Sequence, residues 1–100
     1  MPRRIITAVA LPLWLILAAL ARQLNPSVVV ELGTLGGLSL RTWIASAPQA
    51  RIYAVDLSFQ TLRETMQFLP ADLARVTLLE QDILKTDFPR LWTAQDRVIF

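Results

Sequence analysis

The chain has no cysteine and no histidine. That excludes disulfides, a thiolate nucleophile, zinc sites of the Cys/His type and a histidine general base within these residues. Proton transfer here would fall to carboxylates, to Tyr53 or to Lys85, the only lysine. Missing cysteines are compatible with the cytoplasm and remove the usual mark of a small secreted scaffold. Charge is also sparse, at 18% of residues with a net of +2, and apart from Arg3 and Arg4 the basic residues stand singly. No basic stripe with interleaved aromatics exists, which argues against a nucleic-acid surface. Trp14, Trp43 and Trp92 read as packing residues. What the chain has in excess is apolar residues, 54% of the total, too many for a disordered polar segment. One hundred residues make one domain at most.

The apolar excess begins early. An uncharged run extends from Ile5 to Ala21 behind Arg3 and Arg4. A transmembrane helix needs about 20 apolar residues, and this run contains Pro12. A signal peptide would fit the basic start and the Ala19-Leu20-Ala21 ending. A buried helix would start near Pro12, a good first helical residue, and stop at Asn25-Pro26. Residues 1–26 are read as an apolar helix leading into a domain of residues 27–100, with the membrane readings left open.

From Ser27 the pattern becomes regular. Ser27 to Leu32 is a β-branched run without alternation, as expected of a parallel strand covered on both faces. Gly33, Gly36 and Gly37 stand in one turn, and Ser39 to Ala47 suits a helix closed by Pro48. Arg51 to Val55 reads as a second strand ending at Asp56. Ser58 is a plausible helix N-cap, and Phe59, Leu62, Met66 and Leu69 fall at helical spacing up to Pro70, which should end that helix. A third strand spans Arg75 to Leu79, a short turn or helix lies around Phe88 to Trp92, and Arg97 to Phe100 opens a fourth strand. This alternation predicts an α/β fold with a parallel sheet and right-handed crossovers, truncated after the start of the fourth strand. A sheet cut there leaves an edge and an uncovered face, so the isolated chain is expected to be poorly soluble.

In open parallel sheets, ligands bind at the carboxyl ends of the strands. Glu31, Asp56 and Asp82 stand at or just past three such ends. A carboxylate at the end of a buried strand is costly without partners, which makes Glu31 the most informative of them. Gly33 and Gly37 permit positive φ and close backbone approach, and the helix that follows offers free N–H groups. Asp56 follows Gly33 at roughly the 20-residue offset at which a carboxylate accepts ribose hydroxyls. A dinucleotide fingerprint would need a second glycine where Leu35 stands, and a leucine there would crowd a pyrophosphate. An NAD(P)-dependent oxidoreductase is therefore disfavoured. Each residue also has a structural alternative: the glycines a tight turn, Asp56 a helix cap or turn residue, Ser39 a helix cap, Asp82 a solvated loop position beside Asp87.

The stretch from Val28 to Ser39, Val-Val-Val-Glu-Leu-Gly-Thr-Leu-Gly-Gly-Leu-Ser, resembles the first motif of class I S-adenosylmethionine-dependent methyltransferases. It is most similar to the O-methyltransferase-like branch, whose motif runs Glu-x-Gly-Thr-x-x-Gly-x-Ser and which carries a bulky residue at the Leu35 position. Tyr53-Ala-Val-Asp56 resembles the second motif, Glu80-Gln-Asp-Ile83 the segment beside the adenine, and Asp96 to Phe100 the start of the fourth strand. The resemblance implies a Rossmann-like fold and methyl transfer to a small-molecule or glycan-type acceptor, this chain being the cofactor-binding half. It implies that Glu31, Gly33, Thr34, Gly37 and Ser39 hold the methionine portion. Asp56, with Leu57 beside it, would serve the ribose, and Asp82 with Ile83 the adenine. A divalent metal, where the family uses one, is bound past the fourth strand, so its ligands would lie beyond Phe100. Catalytic residues, acceptor and oligomeric state are not read from these residues. The cofactor implies a cytoplasmic protein, with an inner-membrane anchor through residues 5–21 as the alternative. A non-catalytic Rossmann-like module and a membrane-anchored small protein are the competing functional classes.

Overall fold

The computed structural model describes residues 15–33, 38–65 and 70–100. Residues 15–24 form the first helix, α1. Its end follows from two adjacent residues. Asn25 adopts φ of 43°, a left-handed conformation that asparagine tolerates, and its amide closes the last turn on the Ala21 carbonyl at 2.9 Å. Pro26 then has no N–H with which to continue. Only one side of α1 is covered: Ala21 is fully buried and Leu17 partly, whereas Leu15, Ile16, Leu20 and Leu24 are exposed. The expected burial of this helix therefore holds for one stripe alone. Its expected start near Pro12, and most of the Ile5–Ala21 run, lie outside the described residues. Among the described residues no helix is long and apolar enough to cross a membrane.

The alternation read from the sequence is present as β1 (Val28–Leu32), α2 (Leu38–Ser46), β2 (Arg51–Asp56), α3 (Gln60–Thr65), α4 (Pro70–Leu73), β3 (Val76–Glu80) and β4 (Val98–Ile99). Two 3-10 turns, Ile83–Lys85 and Phe88–Leu91, connect β3 to β4. The four strands pair in parallel in the order β3-β2-β1-β4. This is an α/β, Rossmann-like sheet, with β1 and β2 in its interior and the strand order reversing beside β1.

Register decides which residues meet. Val29 lies opposite Ile52, and Ile52 opposite Val76, so this row faces one side of the sheet. There it joins Ala21, Leu40, Trp43, Phe59 and Leu62, which bring α1, α2 and α3 onto that face. Phe59 and Leu62, the two described members of the expected helical stripe, are 1% and 4% exposed. Burying each is worth about 2 kcal/mol. The other face carries Val28, Val30 and Val55, packed against Tyr53, Leu79 and Val98 and covered by Ile83, Phe88, Leu91 and Trp92. That cover is made of 3-10 turns, because the β3–β4 connection is short and holds Pro89 inside its second turn.

Two expected boundaries move. Pro70 does not end the helix from Ser58. It is itself helical, the first described residue of α4. Residues 66–69, with Met66 and Leu69, lie outside the described residues. The third strand starts one residue later than expected, at Val76, although the Arg75 carbonyl still accepts the Ile52 amide at 2.8 Å; the Arg75 side chain turns to the end of α2. Its guanidinium donates to the carbonyls of Ile44, Ala47 and Ala50 at 2.7–2.8 Å.

Candidate functional site at the carboxyl edge of the sheet

Glu31 is the fourth residue of β1 and shares the orientation of Val29, toward the helix-bearing face. It is 7% exposed, and burial of its carboxylate is offset by a hydrogen bond from the Ser39 hydroxyl in the first turn of α2. The sequence left Ser39 as a helix cap or a ligand contact. The structure gives it Glu31, a partner eight residues back across the glycine turn. Gly33 takes φ of 76°, and its amide donates to the Val55 carbonyl at 2.9 Å. Among the described residues a side chain at Gly33 would meet no atom within 4 Å, so glycine is required there by its φ. Thr34, Leu35, Gly36 and Gly37 lie outside the described residues, and with them the expected contacts of Thr34 and Gly37. α2 follows with no acidic residue in its first turn, its positive dipole end directed at the β1 edge.

Asp56 ends β2 on the adjacent strand and is half-buried. Its carbonyl accepts the Gln81 amide at 2.9 Å, and Oδ1 lies 3.5 Å from the Ser58 amide. Ser58 caps α3 as expected, its Oγ accepting the Gln60 amide at 3.2 Å. A second acceptor at that helix end is Glu80 Oε1, which takes the Phe59 amide at 3.1 Å. Ser58 and Glu80 thus cap α3, while Asp56 accepts the Ser58 amide within the turn, which fits the turn role also open to it. Leu57 is 72% exposed, an apolar side chain standing over this edge.

One strand further, at the end of β3, Asp82 Oδ1 accepts the Leu84 amide at 2.9 Å and its carbonyl accepts the Thr86 hydroxyl. Asp82 therefore caps the first 3-10 turn. Ile83 packs half-buried against the Val28, Val30 and Val55 cluster. Asp87 is paired with Arg90 at 3.3 Å on an exposed surface. The structure brings Glu31, Gly33, Ser39, Asp56 and Leu57 together across two neighbouring strands. Asp82 lies past the end of β3, which is separated from β1 by β2, while Ile83 reaches back to the Val28, Val30 and Val55 cluster. Glu80, which the sequence gave no role of its own, is the register partner of Asp56 on β3.

The opposite edge of the sheet is built for stability. Asp96, just before β4, accepts from the Ser27 hydroxyl at 2.8 Å, the Thr93 amide at 2.8 Å and the Arg51 guanidinium at 3.3 Å. These bonds hold the Asp96 carboxyl below its ordinary range, the Thr93 amide contributing most, then Ser27, with Arg51 adding and burial opposing. A cavity of about 470 Å³ lined by Arg41, Ile44, Ala45, Ala71, Asp72 and Arg75 opens near the C-terminal end of α2, away from the glycine turn. Among the described residues no group of three or more His, Cys, Asp or Glu side chains is placed to hold a metal ion.

Solved structures of CmcI match this chain. One, with SAH, superposes with a TM-score of 0.56 at 20% identity over 69% of this chain and 36% of that one. Another, with Mg-SAM, gives 0.55 at 21% identity over 66% and 28% of the two chains. An apo-structure gives 0.57 at 20% identity over 71% and 30%. The likeness shows the Rossmann-like fold, and the chain spans about a third of the length of these proteins. Neither a protein-family model nor a curated protein matches the chain.

Proposed function

We propose that this chain binds S-adenosylmethionine at the carboxyl edge of β1 and β2, as the cofactor-binding half of a methyltransferase of the O-methyltransferase-like branch. The observation that carries the reading is the pairing of two features at one edge. A buried strand-end carboxylate, Glu31, is tied through Ser39 to the start of α2 across a glycine turn, and Asp56 ends the next strand beside it. The residues present fit the group. Gly33 leaves open space where a ligand's backbone-facing atoms would sit, Leu57 offers an apolar surface, and a carboxylate has lone pairs enough for a diol. The ligands of the CmcI structures, SAH and Mg-SAM, support the same ligand class.

In this reading Glu31, Gly33 and Ser39, with Thr34 and Gly37, hold the methionine portion. Asp56, with Leu57 beside it, binds the ribose hydroxyls, and Asp82 with Ile83 contacts the adenine. When bound, the cofactor supplies a methyl group activated on a sulfonium. The chain's own part is to bind, orient and desolvate. The acceptor in this reading is a small molecule or glycan. The site of action is the cytoplasm.

The test is a calorimetric titration with S-adenosylhomocysteine, run beside NADH, on this chain and on Asp56→Ala. Saturable binding of S-adenosylhomocysteine alone is expected. Loss of charge-assisted bonds to the ribose should weaken it about 10- to 100-fold in Asp56→Ala. At 100 times the dissociation constant the ligand should also stabilise the chain by about 2.7 kcal/mol, read as a melting shift. Binding of NADH instead would point to an oxidoreductase. A folded chain that binds neither would point to a non-catalytic module.

A further inference from the structure

The loop between β2 and α3 is tied to the end of β3 at two points. At one, the Asp56 carbonyl accepts the Gln81 amide at 2.9 Å. At the other, the Phe59 amide donates to Glu80 Oε1 at 3.1 Å. Between the ties stand Leu57 and Ser58, both exposed. Asp56 and Glu80 are register partners in the parallel β2–β3 pair, so their side chains leave the sheet on the same face. Phe59 is 1% exposed, so its ring fixes the far end of the loop in the core while Glu80 fixes the direction of its amide. Arg63 reaches the same oxygen at 3.4 Å. That ion pair is 60% exposed on the arginine and 49% on the glutamate, and contributes little. The bond to the Phe59 amide is the effective tie.

We propose that Glu80 is a positioning residue for the ribose-binding carboxylate. It accepts the Phe59 amide and so holds the loop that carries Asp56 and Leu57 in one conformation before any ligand arrives. The inference rests on the reading of Asp56 as the ribose ligand. Glu80 itself touches no ligand; it acts by lowering the ordering cost of the loop on binding. What the position needs is a hydrogen-bond acceptor rather than a charge. Glu80→Gln therefore keeps the function and Glu80→Ala loses it.

Amide hydrogen exchange and ligand binding on the full chain test this together. Without ligand, exchange at Phe59 should rise about tenfold in Glu80→Ala and stay near wild type in Glu80→Gln. Calorimetry with S-adenosylhomocysteine should show about a tenfold loss in Glu80→Ala and recovery in Glu80→Gln. The 2′,3′-dideoxy analogue, which offers Asp56 no hydroxyl, should bind wild type and Glu80→Ala alike. Equal losses for both ligands, or unchanged Phe59 exchange in Glu80→Ala, would overturn the positioning role while leaving the cofactor reading standing. Wild-type chain that binds neither ligand would overturn the cofactor reading and this role with it.

Discussion

Arg75 holds the C-terminal end of α2 with one guanidinium, donating to three carbonyls that belong to residues 25–31 positions earlier in the chain. They lie in the last turn of α2 and in the link to β2, where helix-end carbonyls need partners and the negative end of the helix dipole favours a cation. Arg75→Ala should lower stability by about 2–3 kcal/mol, seen as a lower urea midpoint with an unchanged slope. Arg75→Lys should recover only part of the loss, since an ammonium cannot reproduce the planar fork. Nothing local in the sequence marks this role, because all three acceptors are backbone atoms distant along the chain. Glu31, Gly33 and Asp56 were legible for the opposite reason. A carboxylate in an apolar strand, a glycine at a strand end and an acid on the next strand each announce a requirement through residue type alone. Ser39 was legible as a polar contact but not as the partner of Glu31, and Glu80 was hidden because its partner is a backbone amide.

Strand positions were legible to within a residue or two, since each coincides with a short apolar run bounded by Pro, Gly or charged residues. The helices were less so. Proline both terminates helices and opens them, and the residues before Pro70 could not decide between the two. The cover of the second sheet face was read only as a short turn or helix, which 3-10 turns satisfy. The junction that admits β4 is the element whose strength depends on pH. Asp96 gathers Ser27 from the start of β1, Arg51 from the start of β2 and Thr93 from the preceding turn. Its carboxyl ionises more readily folded than unfolded. The stabilisation is therefore fully present above the unfolded value, about pH 4, and fades as pH falls through the lower folded value. Asp96→Asn should be less stable than wild type near neutrality. The two denaturation midpoints should converge as the pH is taken below about 4.

For the molecule as a whole, the α/β class and the parallel sheet followed from alternation, while the strand order β3-β2-β1-β4 did not. Order is set by how pairs of faces meet in space, and short apolar strands such as Val28–Leu32 and Val76–Glu80 carry no label for their neighbours. That order has a kinetic side. β1, α2 and β2 close on one another through a short connection, but β1 meets β4 only when Ser27 finds Asp96, 69 residues away. Loop-closure entropy and topology place such a contact late in folding. Val98→Ala should therefore speed unfolding while scarcely slowing refolding, whereas Ile52→Val in the β1–β2 core should slow refolding, a contrast read directly from the two arms of a chevron. During synthesis the same geometry imposes a waiting time. β1 keeps one edge bare until the residues around Asp96 and Val98 emerge, and for that interval it is an adhesive surface on the nascent chain.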